Sequence, residues 1–511
     1  MAVAAGLASG CAPVGPEFIK PEATASTEWP AEFREQFEFS AQQTVEWWQI
    51  LGDPVLNELV SLSHEHNNNL KIVGLRVLEA RAILGIATGN LYPQAQFAFG
   101  DATAIQSSES NANTGAGDLS FTQYNLGASA SWEMDFWGRF RRGVEAADAN
   151  FLASVASYDD ALVLLTAQVA DTYAVVRTAE AQLRISRENL VIQQRSYEIT
   201  DVIFRNGSGN ELDVQRARTL LLSTQASIPS LEIGLRQAQN ALSTLLGMPP
   251  SNLSGLLGEH GELPSLQQKI MIGVPAEMLR QRPDIRRAEL LAMAQNARVG
   301  VATADLYPSF SLTGTLGLAA AGGTDTTRTG DSGFSELFRS ESLTYTAGAS
   351  FVWPFLNYGR IENNIRVEDS RLQQALIQYQ ETVLQAAREV EDAMIAFVGT
   401  QLQDVLLAEA VNSAKRSSEL SLIRFQEGFA DYQRVIDAQQ SQIAQQQRYV
   451  SNKGDAIRSL VSMYRALGGG WQAAGQRRFV DDESRLQMEQ RTDWDDLLEL
   501  NRISINEPEP Y

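Results

Sequence analysis

Few residues in this sequence have the types and spacing that catalysis requires. Its 511 residues include one cysteine and three histidines, which exclude an internal disulfide and disfavour a Cys/His metal cluster. His64 and His66 stand at i and i+2, and such neighbours do not face each other on a helix. There is no glycine-rich phosphate loop followed by lysine and no nucleophile elbow. The sequence therefore predicts no enzyme, no catalytic residue, no metal site and no cofactor.

Cys11 is the residue whose surroundings predict a chemical modification. It follows the small-residue run Leu7-Ala8-Ser9-Gly10, and a proline-containing stretch continues from it to Pro30. This pattern resembles a bacterial lipobox, in which the thiol is acylated and the acyl chains insert into one membrane leaflet. We expect residues 1–11 to be a signal remnant and lipobox, Cys11 to carry a covalent lipid, and residues 12–45 to be a tether. The alternative for a lone cysteine is a small, buried apolar residue.

The charge and hydropathy of the chain narrow the possible partners. A net charge of −21 and a pI near 4.7 argue against nucleic acid, because phosphate binding needs a basic face. No run of residues approaches the roughly 20 apolar positions that a membrane-spanning helix needs. If this protein spans a lipid bilayer, it does so with strands.

An internal duplication organises the chain. Leu91-Tyr92-Pro93 recurs as Leu306-Tyr307-Pro308, which is an offset of 215 residues. After a loop that is six residues longer in the second copy, the offset becomes 221, as in Trp132 and Trp353. Such self-similarity predicts two copies of one structural unit. We place the repeats at residues 46–250 and 283–471, with a linker at 251–282.

Each repeat contains two segments with the alternating pattern of a strand. Their apolar rows include Phe97 and Phe99 in the first segment, Leu126 in the second and Leu312 in the third. Strands of more than ten residues can cross a bilayer when tilted, so we expect these rows to face lipid. The alternative is a soluble hairpin that packs its apolar face on a core. The predicted strands cover residues of about 93–100, 122–136, 308–318 and 342–355.

Aromatic side chains collect at the ends of these strands that adjoin the helices. This placement is typical of the interfacial girdle of a membrane barrel. The predicted girdle consists of Tyr92, Tyr307, Trp132, Trp137, Trp353 and Tyr358.

Long helices follow the strands in both repeats. Sixty-nine positions separate Gly138 from Gly207, and the same number separates Gly359 from Gly428, with almost no proline or glycine between them. Apolar residues step by three and four through both segments. At about 1.5 Å per residue, each helix would be roughly 100 Å long. A shorter helix returns after each glycine turn. A coiled-coil scaffold is the alternative explanation of this pattern.

The predicted strands are too few to close a barrel within one chain. Two hairpins give four strands, and an open sheet edge cannot lie in lipid. Bacterial barrels have at least eight strands. Self-association must therefore supply the rest, as a dimer with eight strands or a trimer with twelve, and the strand count does not choose between them.

Together these features resemble the outer-membrane efflux proteins, the TolC-like channels, and particularly their NodT-like lipoprotein branch. The resemblance implies a mostly α-helical protein with a membrane β-barrel. A homotrimer would contribute four strands per chain to a twelve-stranded barrel, joined to a long periplasmic α-helical barrel. It also implies a lipid-anchored protein of the Gram-negative outer membrane that works with a periplasmic membrane-fusion adaptor and an inner-membrane RND (resistance-nodulation-division) pump. The motifs that carry it are Trp47-Trp48, Gly52-Asp53-Pro54, both Leu-Tyr-Pro triplets, Trp137-Gly138-Arg139, Tyr358-Gly359-Arg360 and Cys11.

The same resemblance places a periplasmic gate at the inter-helix turns around Gly207 and Gly428. Asp437 matches the family's acidic position in the turn motif, and Arg434 stands one helical turn before it. Three Asp437 carboxylates around a narrow aperture would attract cations and repel anions. Arg434 would alternatively neutralise Asp437 or pair with Asp213 across the turn. The remaining alternative is a solvated helical pair of little energetic value.

The predicted function is a passive exit duct for small molecules that a partner pump expels. Type I protein secretion and a coiled-coil structural lipoprotein of the envelope are the alternatives. Residues after Trp471 depart from the family pattern. Ten Asp/Glu against three Arg from Asp481 onward predict a solvated acidic tail over residues 472–511.

Overall fold

The computed structural model describes most of both repeats and leaves Cys11 outside the described residues. It describes residues 13–21, 37–39, 45–110, 119–258, 263–264, 271–272, 281–323, 333–475 and 478–500. The chain forms two compact units. The first unit contains Met1–Pro21, Glu79–Ala153 and Glu289–Gln378, and the second contains Glu22–Leu78, Ser154–Ala288 and Tyr379–Tyr511.

The first unit is built on an antiparallel sheet of four strands. The strands in the described part of the chain are β1 (Glu38–Phe39), β2 (Ala95–Gln106), β3 (Ser120–Met134), β4 (Met271–Ile272), β5 (Ser309–Gly323) and β6 (Leu343–Val352). The sheet has the order β2-β3-β5-β6, and β1 pairs with β4 in parallel within the second unit. The strand predicted near residues 93–100 continues to Gln106, because the hydrogen-bonded ladder runs on through polar residues such as Asp101 and Thr103.

The helices repeat one series of lengths. Among the described residues they are, in chain order, α1 (Pro54–His66), α2 (Asn68–Gly89), α3 (Arg139–Arg205), α4 (Glu211–Leu245), α5 (Ser254–Leu257), α6 (Pro283–Ala304), α7 (Arg360–Gln426), α8 (Tyr432–Ala466) and α9 (Asp482–Glu489). In each repeat a helix of 22 residues leads into the hairpin, one of 67 leaves it and one of 35 returns. The predicted combination of a mostly helical fold with four strands is therefore confirmed.

Three strands of the sheet share one continuous apolar face. Leu126 of β3 lies opposite Leu318 of β5, and Leu316 of β5 lies opposite Tyr345 of β6. Directly opposed residues of an antiparallel pair project to the same side of the sheet. We call this side the apolar face. Its side chains are largely exposed in the single chain, including Leu316 at 60% and Tyr345 at 77%.

The expectation that the apolar row of the first strand joins this face is wrong. In β2, Phe97 lies opposite Ser129 and Phe99 lies opposite Gly127. Ser129 alternates with Leu126 and Ala128 along β3, so these two phenylalanines project to the opposite side. We call that side the polar face. A shift of one residue in pairing moves every side chain of a strand to the other face, and the apolar pattern alone does not reveal the shift.

A buried polar network holds the start of the first repeat within the second unit. Trp47 stacks on Tyr464 with ring centroids 5.2 Å apart. The carboxylate of Asp53 caps α1 and accepts a hydrogen bond from the Tyr173 hydroxyl. Arg177, which is buried, donates from Nε to the same hydroxyl at 2.9 Å. Burial and the hydrogen bond to Asp53 raise the pKa of Tyr173, so this hydroxyl stays protonated.

The predicted solvated tail is wrong for its first residues. Phe479 and Val480 are buried, with 3% and 4% exposure. The Phe479 ring packs edge-on against Tyr158 at 5.0 Å, and Lys71 lies 3.8 Å from Asp481. The surplus of acidic residues concealed these two apolar side chains, which dock against the helices of the second unit. Helix α9 follows, capped by Asp481.

The sequence analysis found no segment apolar enough to form a membrane-spanning helix, and one helix of the structure contradicts this. Helix α7 contains an 18-residue stretch that is long and apolar enough by length and composition alone. A long amphipathic helix can also be this apolar on average, because the mean hydropathy of a stretch does not depend on which way its side chains face. Leu402, Val405 and Leu406 stand at i, i+3 and i+4 and are 64%, 64% and 68% exposed, so they form one apolar stripe.

We predict that Gly74→Ala releases the docked tail. A Cβ at Gly74 would lie 1.9 Å from the backbone oxygen of Phe479, which cannot yield without moving the chain. Limited proteolysis should then cleave residues 478–500 faster than in the wild-type protein. Gly85→Ala on the same helix is the matched control, because nothing lies within 4 Å of its added Cβ. Equal protection of the tail in both variants would contradict this docking.

Candidate functional site

Two indole side chains tie the sheet to the preceding turns in the same way in both repeats. Trp132 Nε1 donates to the Leu91 carbonyl at 3.1 Å, and Trp353 Nε1 donates to the Leu306 carbonyl at 3.0 Å. Leu91 and Leu306 begin the two Leu-Tyr-Pro triplets. An indole with a satisfied N–H and a partly exposed ring suits the boundary between lipid and water.

The third indole, Trp137, joins the first repeat to the second. Its Nε1 donates to the Pro308 carbonyl at 2.9 Å, and its ring stacks on Tyr307 with centroids 4.5 Å apart. By the repeat offsets, Trp137 corresponds to Tyr358 and Tyr307 corresponds to Tyr92. Tyr358 is 94% exposed and Tyr92 is 66% exposed. Tyr92 precedes β2 and Tyr358 follows β6, so the corresponding contact is open at the two edges of the sheet.

Charged side chains lie where the polar face meets the helices. A cavity of about 330 Å³ there is lined in part by Glu133, Arg139, Asp305 and Arg360. The Arg139 guanidinium lies 3.3 Å from Glu133 and 3.7 Å from Asp305. Glu133 alternates with Trp132 and thus shares the polar face of Ser129. This side of the sheet is therefore built for water and ions rather than for lipid.

The two inter-helix turns have nearly the same backbone. Gly207 has φ 74° and Gly428 has φ 75°, a left-handed conformation that glycine adopts without a steric penalty. After the first turn, the Asn210 side chain accepts a hydrogen bond from the Leu212 N–H at 3.0 Å and caps α4. The sequence thus ends α3 and α7 at equivalent positions and reverses the chain at both.

The acidic side chains at these turns bond to residues of their own helices. Asp437 Oδ1 accepts from Gln433 Nε2 at 2.9 Å, because Gln433 stands four residues before it on α8. Asp213 lies 3.8 Å from Arg216 on its own helix. Within the described parts of the chain, no carboxylate lies within ion-pair distance of Arg434. Neither of the two alternatives for Arg434, a pair with Asp437 or a pair with Asp213, is therefore present in the single chain.

Arg434 instead lines a groove at the end of α7. Arg416 and Arg424 line the same groove, and Arg434 is exposed there. An exposed arginine is expected to stay in solvent, because an ion pair between exposed side chains contributes little to the stability of the fold.

The buried residue at these turns that sequence reasoning missed is Tyr432, the first residue of α8. Its hydroxyl lies 3.0 Å from Ser196 Oγ, and its ring meets Phe425 at 5.0 Å. Burial raises the pKa of Tyr432. The helical spacing of its apolar neighbours was the available signal. The buried cluster, which we call the turn cluster, consists of Ala217, Leu220, Tyr432, Val435 and Ile436.

A profile of the outer membrane efflux proteins matches residues 59–248 and 274–469, which is more than half of the chain. The chain belongs to the outer membrane efflux protein family. The matched segments coincide with the two repeats, and the docked tail lies beyond them.

Individual members of the family are similar over most of their length. The cation efflux system protein CusC of Escherichia coli O6:H1 is 31% identical over 442 residues, which cover 84% of this chain and 89% of CusC. Outer membrane protein OprJ of Pseudomonas aeruginosa is 28% identical, covering 91% and 94%. The solved outer-membrane channel OprN has a TM-score of 0.83 and 31% identity, covering 90% of this chain and 99% of that chain.

We predict that the open aromatic contact of this efflux protein is completed between protomers. In a trimer, Tyr358 would stack on the partner's Tyr92, as Trp137 stacks on Tyr307 within one chain. Tyr358→Ala and Tyr92→Ala should each lower the temperature at which the detergent-solubilised trimer dissociates. The double variant should be no worse than either single variant, because contacting residues do not act additively. Tyr345→Ala, an exposed tyrosine of the apolar face, is the control; equal losses in all variants would contradict the contact.

Proposed function

We propose that this protein is a passive exit duct in the outer membrane, which three copies form together. Small molecules would pass through it after a partner pump has expelled them into it. Membership of the outer membrane efflux protein family and the likeness to the solved channel OprN support this function. The helices would extend into the periplasm, where the stripe of Leu402, Val405 and Leu406 would pack on neighbouring helices.

The observation that carries the proposal is the sheet itself. It has two open edges, at β2 and β6, and an exposed apolar face along β3, β5 and β6. Such a sheet is unsuitable for water on its apolar face and unsuitable for lipid at its edges. Three copies would pair all edges in a ring of twelve strands, which satisfies both conditions.

The duct would perform no chemistry of its own. We assign the energy of transport to an inner-membrane RND pump, linked to the duct by a periplasmic membrane-fusion adaptor. SrpC of Pseudomonas putida, 29% identical over 474 residues, is named as the outer membrane protein of a solvent efflux pump. Names of this kind favour efflux over protein secretion or a structural role.

We predict opposite effects for arginine at two adjacent positions of β5. Leu312 projects to the apolar face and Thr313 to the polar face. Leu312→Arg should destabilise the inserted barrel by about 2–4 kcal/mol near the bilayer midplane and lower the yield of trimer. Thr313→Arg should assemble normally and change single-channel conductance in planar bilayers. A wild-type protein that never conducts would overturn the proposed duct, and equal trimer yields would overturn the assignment of faces.

We further propose that the turns form the periplasmic gate, with the turn cluster holding it closed and Asp437 setting its charge preference. Tyr432→Ala should raise basal conductance, because it removes a buried ring and the contact with Ser196. Asp437→Ala should reduce cation preference while leaving closure intact. Glu419→Gln, which removes an exposed partner of Arg416, is the control and should change neither property. Wild-type conductance and selectivity in both test variants would refute a gate at this end.

We also propose that Cys11 carries covalent lipid and anchors the chain to the membrane. SilC of Salmonella typhimurium, 30% identical over 484 residues, is named as a probable outer membrane lipoprotein. Mass spectrometry of membrane-expressed protein should find an acylated peptide that begins at Cys11. Cys11→Ser should retain a folded channel, since the barrel itself would hold it in the membrane. An unmodified thiol in the wild-type protein would rule out the anchor.

A further inference from the structure

The two hairpins of the sheet differ in register by one residue. Phe310 lies opposite Phe351 in the second hairpin. By the repeat offsets, Ala95 corresponds to Phe310 and Ala130 corresponds to Phe351. Ala95 instead lies opposite Ser131. The first strand is therefore displaced by one position, and its side chains alternate in the opposite sense to those of β5.

The side chain of Gln94 accounts for this displacement. Its Oε1 accepts from the Glu133 N–H at 2.7 Å, and its Nε2 donates to the Glu133 carbonyl at 3.1 Å. The amide thus takes the place of one peptide group at the start of the ladder. The second hairpin cannot copy this contact, because Ser309 corresponds to Gln94 and Pro354, which has no N–H, corresponds to Glu133.

Contacts on both sides of the sheet agree with the displaced register. A Cβ at Gly127 would lie 2.9 Å from Cζ of Phe99, so that ring covers Gly127 on the polar face. On the apolar face, a Cβ at Gly100 would lie 3.4 Å from Cδ1 of Leu126. The Asp101 carboxylate accepts from Asn125 Nδ2 at 3.0 Å, which places both on the side of Phe99.

We infer that Phe97, Phe99 and Asp101 form a contact site for aromatic organic cations on the lumen wall of the barrel. The inference rests on the proposed duct, in which the apolar face meets lipid and the polar face lines the lumen. Phe97 is 60% exposed on that polar face, among serine and threonine side chains. A trimer would present the site three times.

The chemistry of the site follows from its two kinds of group. Phenylalanine faces attract aromatic rings and cations, and in water each such contact strengthens binding about twofold to fivefold. Asp101 lies two residues beyond Phe99 on the same face, about 7 Å along the strand. Its recorded partners Asn125 and Thr103 are neutral donors, and no lysine or arginine in the described chain lies within ion-pair distance of it. A solute with a ring and a positive charge can contact both groups at once.

Cysteine labelling tests the facing of β2 directly. In outer-membrane vesicles, Phe97→Cys should react with a charged, membrane-impermeant maleimide, whereas Ala98→Cys, its neighbour on the other face, should not. The wild-type chain measures any background from Cys11. Reaction at Ala98→Cys without reaction at Phe97→Cys would overturn the assignment. This labelling does not require transport, so its failure is distinguishable from failure of the proposed duct.

Protection of a lumen thiol tests the ligand. Thr103→Cys is exposed on the same face of β2 as Phe97 and leaves both rings intact. Tetraphenylphosphonium should slow its labelling, and tetramethylammonium, which has no ring, should not. Adding Phe97→Ser and Phe99→Ser should weaken the protection about tenfold, as expected for two ring contacts. Adding Leu316→Ser on the apolar face is the control and should leave protection unchanged. Equal protection with and without the rings, or no protection at all, would refute the site.

Discussion

The constraint on which this molecule depends is that the edge of a β-sheet cannot remain unpaired in lipid. The chain supplies four strands with open edges at β2 and β6, and three of those strands carry an apolar face. A single copy in water exposes that apolar face. A single copy in lipid leaves the backbone donors and acceptors of two strand edges unpaired. Assembly into a closed ring resolves both problems together.

The duplication explains which contacts lie within a chain and which are left for a neighbour. Trp132 and Trp353 repeat one contact in both halves, whereas Trp137 uses the second half of its own chain. The corresponding position, Tyr358, has no third repeat to meet and remains exposed. If three chains form a ring, one such contact would lie within each chain and one would lie between protomers. Two repeats per chain therefore leave Tyr92 and Tyr358 exposed at the two edges of the sheet.

The sequence predicted the elements that have a long periodic pattern of apolar residues. It did not predict features that depend on the contact of one side chain. Helical spacing over 67 residues and paired glycines predicted α3, α7 and their turns. The register of β2 depends on Gln94, whose amide replaces a peptide group, and no alternation pattern records such a substitution. At the inter-helix turn, Asp437 accepts a hydrogen bond from Gln433, four residues before it, and charge alone did not predict this partner. In the tail, the excess of acidic residues predicted exposure to solvent, and the burial of Phe479 was therefore missed.

The interior of the helix pairs contains both buried amides and buried apolar side chains. Buried amides line α3 and α8, and Asn189 Nδ2 donates to Gln446 Oε1 at 2.7 Å. The buried amides of Gln193 and Gln439 have no hydrogen-bond partner among the described residues, and such groups cost about 1–3 kcal/mol each. Buried polar residues fix the register of packed helices at the expense of stability. The turn cluster around Tyr432, by contrast, stabilises the packed helices through the burial of apolar side chains. If the turns form the proposed gate, this cluster would oppose separation of the helices there, and a partner that opens the duct would have to disrupt it.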